Sequence, residues 1–340
     1  MKTNTTTVCY LLTAIYLLLP QPCWASFFEM SLKQDSIYTP GKMHLTMKLT
    51  DKAKIEGDYR TIVSVYMAGT LIRKQTLMVT GKEPVVFELM FPDVYARTDS
   101  RCRSELFIDE QFIEAKEKPL TLWPTIAPYP EESINNKKIW TFDTSGKMQE
   151  LFEYLEVEAA DATFQTTRDF GTPAIFFIGQ YLDPNSMRLI TRRLKSVETK
   201  PVIVFLRQKQ LLKNAKIEIP TENNSSQNVE CDANCPLLNS LNLRDVMNMV
   251  DGATYVKIKK EKDKNRSIDS YVTEVMKDKK SIYSYLCTVK EKGQVTIYCQ
   301  LPVTDDNDPR YAVLLNNLLR FADIISGSKR NQINRHIERK

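Results

Sequence analysis

Two architectures follow one another in this 340-residue chain: an all-β sandwich, then an α/β domain built on a parallel sheet. Three observations predict that order. Residues 27–124 read as short alternating strands with no helical period. Three prolines crowd residues 122–133, where all periodicity stops. Beyond them, fully apolar strands alternate with segments of helical spacing, the pattern of a parallel sheet covered on both faces.

The chain opens with MKTNTTTVCYLLTAIYLLLPQPCWAS, which has Lys2, an apolar run over 8–19, a proline break and the small-x-small pattern Cys23-Trp24-Ala25. This is the layout of a cleaved secretory signal over 1–25. The run falls short of the roughly 20 residues that span a bilayer, and no later window is apolar enough, so the reading is an exported protein, secreted or periplasmic, with no stable membrane span.

In the first module, GKMHLTMKLT alternates Met43, Leu45, Met47 and Leu49 with His44, Thr46, Lys48 and Thr50, turning one face to a core and one to water. TIVSVYMAG, TLIRKQTLMVTG and PVVFELMFP repeat the device, with glycine and proline marking the turns. Six or more strands in about 100 residues predict an immunoglobulin-like β-sandwich over 26–124, its first core strand entered by a turn at Pro40-Gly41. Residues 125–134 form a Pro-rich linker.

In the second module KKIWTFD reads as a strand, SGKMQELFEYLEV as a helix with Met148, Leu151, Phe152 and Leu155 on one side, and PAIFFIG as a buried strand. DPNSMRLITRRLKS begins a helix with Asp183 as cap and Pro184 in its first turn, and KPVIVFLRQ is another buried strand. The hydrophilic stretch 213–235 reads as a surface insertion. PLLNSLNLRDVMNMV is helical, SIYSYLCTVKEKGQVTIYCQLP a hairpin, and DPRYAVLLNNLLRFADII an amphipathic helix carrying Tyr311, Leu314, Leu315, Leu318, Leu319 and Ile325. The domain therefore covers 135–327, and a basic tail follows over 328–340.

Composition removes several chemistries. Only ten glycines occur, none spaced as in a dinucleotide loop, a phosphate loop or a nucleophile elbow, all of which need glycine for a close backbone approach or a strained turn. The two histidines, His44 on an outward strand face and His336 in the tail, are not placed to activate a cysteine or serine or to ligate a metal. Neither a metal nor a cofactor is expected. In TDDNDP, Asp305, Asp306 and Asp308 lack the glycine and terminal glutamate of a calcium loop, and Asp308-Pro309 is the better helix start. A net charge of +5 with interleaved signs, as in KIKKEKDKNRSIDS, describes a solvated surface and no nucleic-acid partner.

Five cysteines lie beyond the signal, Cys102, Cys231, Cys235, Cys287 and Cys299, so at least one thiol is left over. Cys287 and Cys299 flank VKEKGQV symmetrically about Gly293 and are a candidate disulfide; Cys231 and Cys235, in one hydrophilic loop, are a second, against reduced structural thiols in both cases.

The segments 138–167, 173–208 and 293–323, ending in GQVTIYCQLP and the helix DPRYAVLLNNLL, resemble the class I glutamine amidotransferase-like domains appended to bacterial glycoside hydrolases, including β-galactosidase trimerisation-type domains. The resemblance implies a flavodoxin-like α/β fold. It also implies a degenerate member, because the turn that carries the family's nucleophilic cysteine reads Arg207-Gln208-Lys209 and no histidine follows before His336. The expected function is non-catalytic binding or scaffolding, with carbohydrate or a carbohydrate-active enzyme as partner and self-association through the α/β domain. The alternative is a carboxylate-dependent hydrolase, glycosidic or other, with its cleft at the C-terminal strand ends near Gln180, Tyr181, Arg207 and Gln208.

Overall fold

A computed structural model describes residues 26–51, 53, 57–124, 138–163, 174–179, 182, 184–196, 200–208, 217–220, 228–260, 265–276, 280–303 and 308–337. The expected signal sequence over 1–25 and the expected linker over 125–134 lie outside these residues. The chain divides into two compact units, Met1–Pro124 and Thr125–Lys340.

The first unit holds β1 (Phe28–Leu32), β2 (Ser36–Thr39), β3 (Gly41–Leu49), β4 (Asp58–Met67), β5 (Thr70–Thr80), β6 (Val85–Phe91), β7 (Thr98–Ile108) and β8 (Gln111–Pro124). They form a three-stranded sheet, β1-β3-β6, and a five-stranded sheet, β2-β8-β7-β4-β5. The alternation in β3 does what its spacing predicts: Met43, Leu45, Met47 and Leu49 are buried between exposed or half-buried neighbours. Those side chains share one core with Phe87 and Leu89 of β6 and with Val63, Val65, Cys102, Leu106 and Leu120 of the other sheet. β2 pairs with β8 and β3 with β6, so the chain changes sheets at Pro40-Gly41. Glycine is required there, since a Cβ on Gly41 would stand 2.1 Å from the Tyr38 carbonyl oxygen.

Hairpin turns set the registers. Ala68-Gly69 and Asp109-Glu110 each join two strands with positive φ at both positions, 48° and 84°, then 49° and 64°. This backbone twist matches that of the flanking strands.

The second unit contains β9 (Lys138–Phe142), α1 (Lys147–Tyr154), β10 (Ala160–Asp161), β11 (Ala174–Ile178), α2 (Pro184–Ser196), β12 (Val202–Leu206), β13 (Ile217–Glu218), β14 (Val229–Cys231), a 3-10 turn (Pro236–Leu238), α3 (Leu243–Val250), β15 (Val256–Lys259), β16 (Arg266–Glu274), β17 (Ser281–Glu291), β18 (Gln294–Cys299) and α4 (Pro309–Ile337). All ten strands join one sheet. β10, β9, β11, β12 and β18 run parallel in that spatial order. β17 returns antiparallel to β18, and Ser284 pairs with both Val256 and Thr273, which places β15 and β16 on opposite edges of β17.

These topologies correct the expected fold class and the amidotransferase-like resemblance. Strand outweighs helix among the described residues, and the second unit is a mixed, β-rich sheet, not a flavodoxin-like α/β domain. The physical reason lies in residues 217–291. The stretch 213–235, read as a surface insertion, contributes β13 and β14, and residues given no element form β15 and β16; with β17, read as one strand of a hairpin, they make an antiparallel extension inserted in the chain between β12 and β18, where a parallel fold would place a single crossover helix.

Both faces of the sheet are covered. Alternate residues of the parallel strands divide between two clusters: Ile139, Ile175, Phe177, Val204 and Ile297 meet Met148, Leu151 and Phe152 of α1 and Leu314, Leu315, Leu318 and Leu319 of α4. Trp140, Phe142, Phe176, Ile178 and Ile203 meet Met187 and Ile190 of α2 on the opposite face. Asp308 caps α4 as its position before Pro309 predicts, its Oδ1 accepting the Arg310 N–H at 3.0 Å. The same carboxylate holds the Arg310 guanidinium at 2.6 Å. Helix α4 continues to Ile337, through residues assigned to a separate tail.

Candidate functional site

The C-terminal ends of parallel strands are where open sheets usually receive ligands, and here they carry a continuous set of polar side chains. β9 ends at Phe142, and Asp143 follows with its side chain buried. The N-cap of α1, Gly146, has φ 75° and no side chain to cap the helix. Asp143 supplies the missing acceptor: Oδ2 takes the Met148 N–H at 3.0 Å, and Oδ1 takes the Ser145 N–H at 3.2 Å. The Ser145 hydroxyl donates to both oxygens, and the Asp143 N–H donates to Thr163 Oγ1 at 2.9 Å.

β11 ends beside it at Ile178, and Gly179 follows. A Cβ on that glycine would lie 2.8 Å from both Cβ and Cγ of Asp143, so the two strand ends meet only because Gly179 has no side chain.

β12 ends at Leu206. Arg207, with φ 43°, turns the chain, and its N–H donates to the Cys299 carbonyl at 2.6 Å. Gln208 is then 3% exposed, and its Nε2 donates to three carbonyls: Ile178 at 3.0 Å, Gly179 at 2.8 Å and Leu206 at 2.9 Å. After β18, Gln300 is 1% exposed and its Nε2 donates to the Gln208 carbonyl at 2.9 Å and to Thr254 Oγ1 at 3.2 Å. Two glutamine amides thus tie the ends of β11, β12 and β18 to one another and to the loop after α3.

Of the predicted site residues, Arg207 and Gln208 are at the strand ends, Arg207 half-buried and Gln208 turned inward; Gln180 and Tyr181 lie outside the described residues. Asp143, Thr254 and Gln300 were not singled out as site residues from the sequence. Their signal was positional: Asp143 and Gln300 each come directly after the last apolar residue of a buried strand.

Both candidate disulfides are corrected: Cys231, Cys235, Cys287 and Cys299 are free, as is Cys102. The β17–β18 turn has two residues, Lys292 and Gly293, so Cys287 stands opposite Tyr298 and Cys299 opposite Leu286. Offset by one residue, the two thiols point to opposite faces. Cys299 belongs to the core under α4, Cys287 to a separate cluster with Ile258 and Val289. Burial pushes both thiols up to about 12, and Cys102 likewise, while Cys235 rises to about 11. All are neutral thiols at physiological pH and poor nucleophiles.

A second buried polar group joins the antiparallel extension. Glu274, 1% exposed at the end of β16, accepts the Tyr285 hydroxyl at 2.8 Å. Burial, then the glutamate, raise that phenol above its ordinary value. Tyr255 lies edge-on to Tyr285 and Tyr283, with ring centroids 5.9 and 5.4 Å away. Among the described residues, no three His, Cys, Asp or Glu side chains are grouped to hold a metal ion, and no helix is long and apolar enough to cross a membrane. Asp305 and Asp306 lie outside those residues.

No family model matches the chain, and no curated protein matches it. Solved structures similar to parts of it include the periplasmic chaperone SfaE, with 13% identity over 33% of this chain and 66% of that one and a TM-score of 0.23. A putative β-galactosidase from Bacteroides fragilis matches at 10% identity over 53% of this chain and 38% of that one, TM-score 0.21. A β-glucuronidase from Parabacteroides merdae matches at 11% over 53% and 36%, TM-score 0.23. The chain spans less than two thirds of each of these proteins, and at such TM-scores the likeness assigns no function.

Proposed function

We propose that this is an exported protein, secreted or periplasmic, that works by binding or scaffolding and not by bond chemistry. One observation supports the reading above others: the strand ends hold side chains whose amide N–H groups and carboxylate oxygens are engaged by the protein's own backbone and side chains. Gln208 donates to three carbonyls, Asp143 accepts the turn into α1, and Gln300 donates to Gln208 and Thr254. Catalytic groups need free lone pairs or protons directed at a substrate, and a carboxylate engaged on both oxygens in a helix turn has neither.

The partner class we propose is carbohydrate, or an enzyme that processes it. A glycan-binding screen with the chain from Ser26 onward tests this directly, and a screen empty of saturable hits refutes it. The hydrolase alternative gains nothing from Asp143, whose oxygens are engaged in the turn into α1; a second acid at these strand ends, Asp161 of β10, accepts the Thr163 N–H at 2.8 Å. Turnover of any glycoside by the purified protein, abolished in an Asp or Glu variant, would overturn the non-catalytic reading.

A further inference from the structure

A sheet that stops at a strand leaves a row of backbone N–H and C=O groups open to another chain, and proteins normally blunt such edges with charges, prolines, bulges or short strands. The first unit does so at most of its edges. β1 and β2 have only five and four residues. The part of β8 that β2 does not reach carries Glu114, Lys116, Glu117, Lys118 and Pro119. On β6 the Met90 carbonyl is already taken by Arg73 Nε at 2.8 Å.

β5 is the exception. It has eleven residues, ends the five-stranded sheet, and among the described residues pairs only with β4. Its bulge and its charges, Arg73 and Lys74, lie in its first half. Residues 75–80 then read Gln-Thr-Leu-Met-Val-Thr, with no charge, proline or bulge. Thr76, Met78 and Thr80 are exposed, Met78 to 65%, while Leu77 and Val79 are half-buried against the sandwich core.

The stretch from Thr76 to Thr80 has the same character read in either direction. In an antiparallel pair, residues directly opposite one another turn their side chains to the same side. A two-fold axis at Met78 therefore sets Met78 beside its own copy, Thr76 opposite Thr80 on the outer face, and Leu77 opposite Val79 over the core. Hydroxyls meet hydroxyls and apolar groups meet apolar groups. An axis one residue earlier opposes Met78 to Thr76 and Lys74 to Thr80, and the match is lost. Such self-complementarity is what a contact between two identical surfaces requires.

We propose that β5 is a homodimer contact, in which two copies of the protein pair antiparallel about Met78 and their five-stranded sheets become continuous. The open backbone edge calls for an extended strand, and the symmetric sequence selects a second copy over an unrelated peptide. The self-association expected from the sequence was assigned to the second domain; this contact is in the first, and it does not depend on the function proposed above.

One pair of strands is at the small end of specific interfaces, so sedimentation equilibrium of the full chain should show a monomer–dimer equilibrium with Kd on the order of 10 μM. Met78→Lys changes an exposed side chain, keeps the monomer folded by circular dichroism, and puts two ammonium groups on the axis; the dimer should weaken at least about tenfold. Met78→Cys reads the register. Opposite Cβ atoms lie about 4.5 to 5.5 Å apart in such a pair, close enough for mild oxidation to form an intermolecular disulfide. Leu71→Cys, also exposed on β5, would stand roughly 45 Å from its copy and should not crosslink. A protein that stays monomeric, a dimer unaffected by Met78→Lys, or crosslinking as fast through Leu71→Cys as through Met78→Cys each overturns the proposal.

Discussion

If the strand ends are a plug and not a ligand pocket, removing the plug must cost stability, and Gln208 is where to remove it. Its Nε2 has two hydrogens and three carbonyls within 3.0 Å, those of Ile178, Gly179 and Leu206. Two full bonds are therefore made and the third is shared. Gln208→Leu keeps the volume and deletes the donor. At about 1 kcal/mol net for each bond, with a further 1 to 3 kcal/mol for carbonyls left dry, less what the leucine gains by burial, the expected loss is roughly 2 to 3 kcal/mol. Gln208→Glu should be worse at neutral pH, because it aims a carboxylate at three carbonyl oxygens. The pH dependence of that variant has a definite sign. A buried carboxyl facing acceptors has its folded pKa raised above the ordinary 4.3 or so, so its penalty is absent below that value and grows as pH rises toward the folded pKa. Denaturant unfolding followed by circular dichroism, at pH 4 and pH 7, measures both effects. A Gln208→Leu protein within about 0.5 kcal/mol of wild type, or a glutamate variant no worse than the leucine one at pH 7, would refute the plug and reopen the cleft as a binding site.

Other expectations are equally concrete. Gly179→Ala puts a methyl group 2.8 Å from two carbons of Asp143, which is pinned by the turn into α1, and should lower stability by about 1 to 3 kcal/mol in thermal or denaturant unfolding. Lys292→Asn should do the reverse: Lys292 has φ 49° beside Gly293 in a two-residue turn, a position that favours asparagine, and a gain of roughly 0.5 to 1 kcal/mol is expected in the same assay. Stability should hold up to pH 9 and then fall, because the Cys102, Cys287 and Cys299 thiols ionise near 9.0 when unfolded but only at about 12 when folded. Each contributes a slope of about 1.4 kcal/mol per pH unit, and Cys299→Ala should remove one share of it; a flat profile to pH 11 would contradict the burial. Alkylation of unreduced, unfolded protein should label Cys102, Cys231, Cys235, Cys287 and Cys299 alike, and in the native state the half-buried Cys231 should react first.

What could be read from the sequence divides by the distance over which each feature is determined. The alternation of Met43 to Leu49, the stripe of Leu314, Leu315, Leu318 and Leu319, and the Asp308-Pro309 helix start each depend on neighbours within a few residues, and each was legible. β13 and β14 were not. A strand of two or three residues has no period to detect, and these exist because Ile217 finds Ile258 and Val229 finds Glu274 across the sheet. The same limit shaped the site. That Gln208 follows a buried strand was visible, but the direction of its side chain depends on the left-handed turn at Arg207 and on three carbonyls from two strands. The hairpin of β17 and β18 makes the point with a single residue. Centring it on Gly293 places Cys287 opposite Cys299. Centring it between Lys292 and Gly293, as a two-residue turn with both φ positive demands, gives Cys287 to Tyr298 and moves one thiol through the sheet. The local sequence Lys-Gly already favoured the second choice, since glycine at the second position is what that turn type prefers. The absence of the disulfide was therefore readable from turn chemistry, although spacing alone suggested the bond.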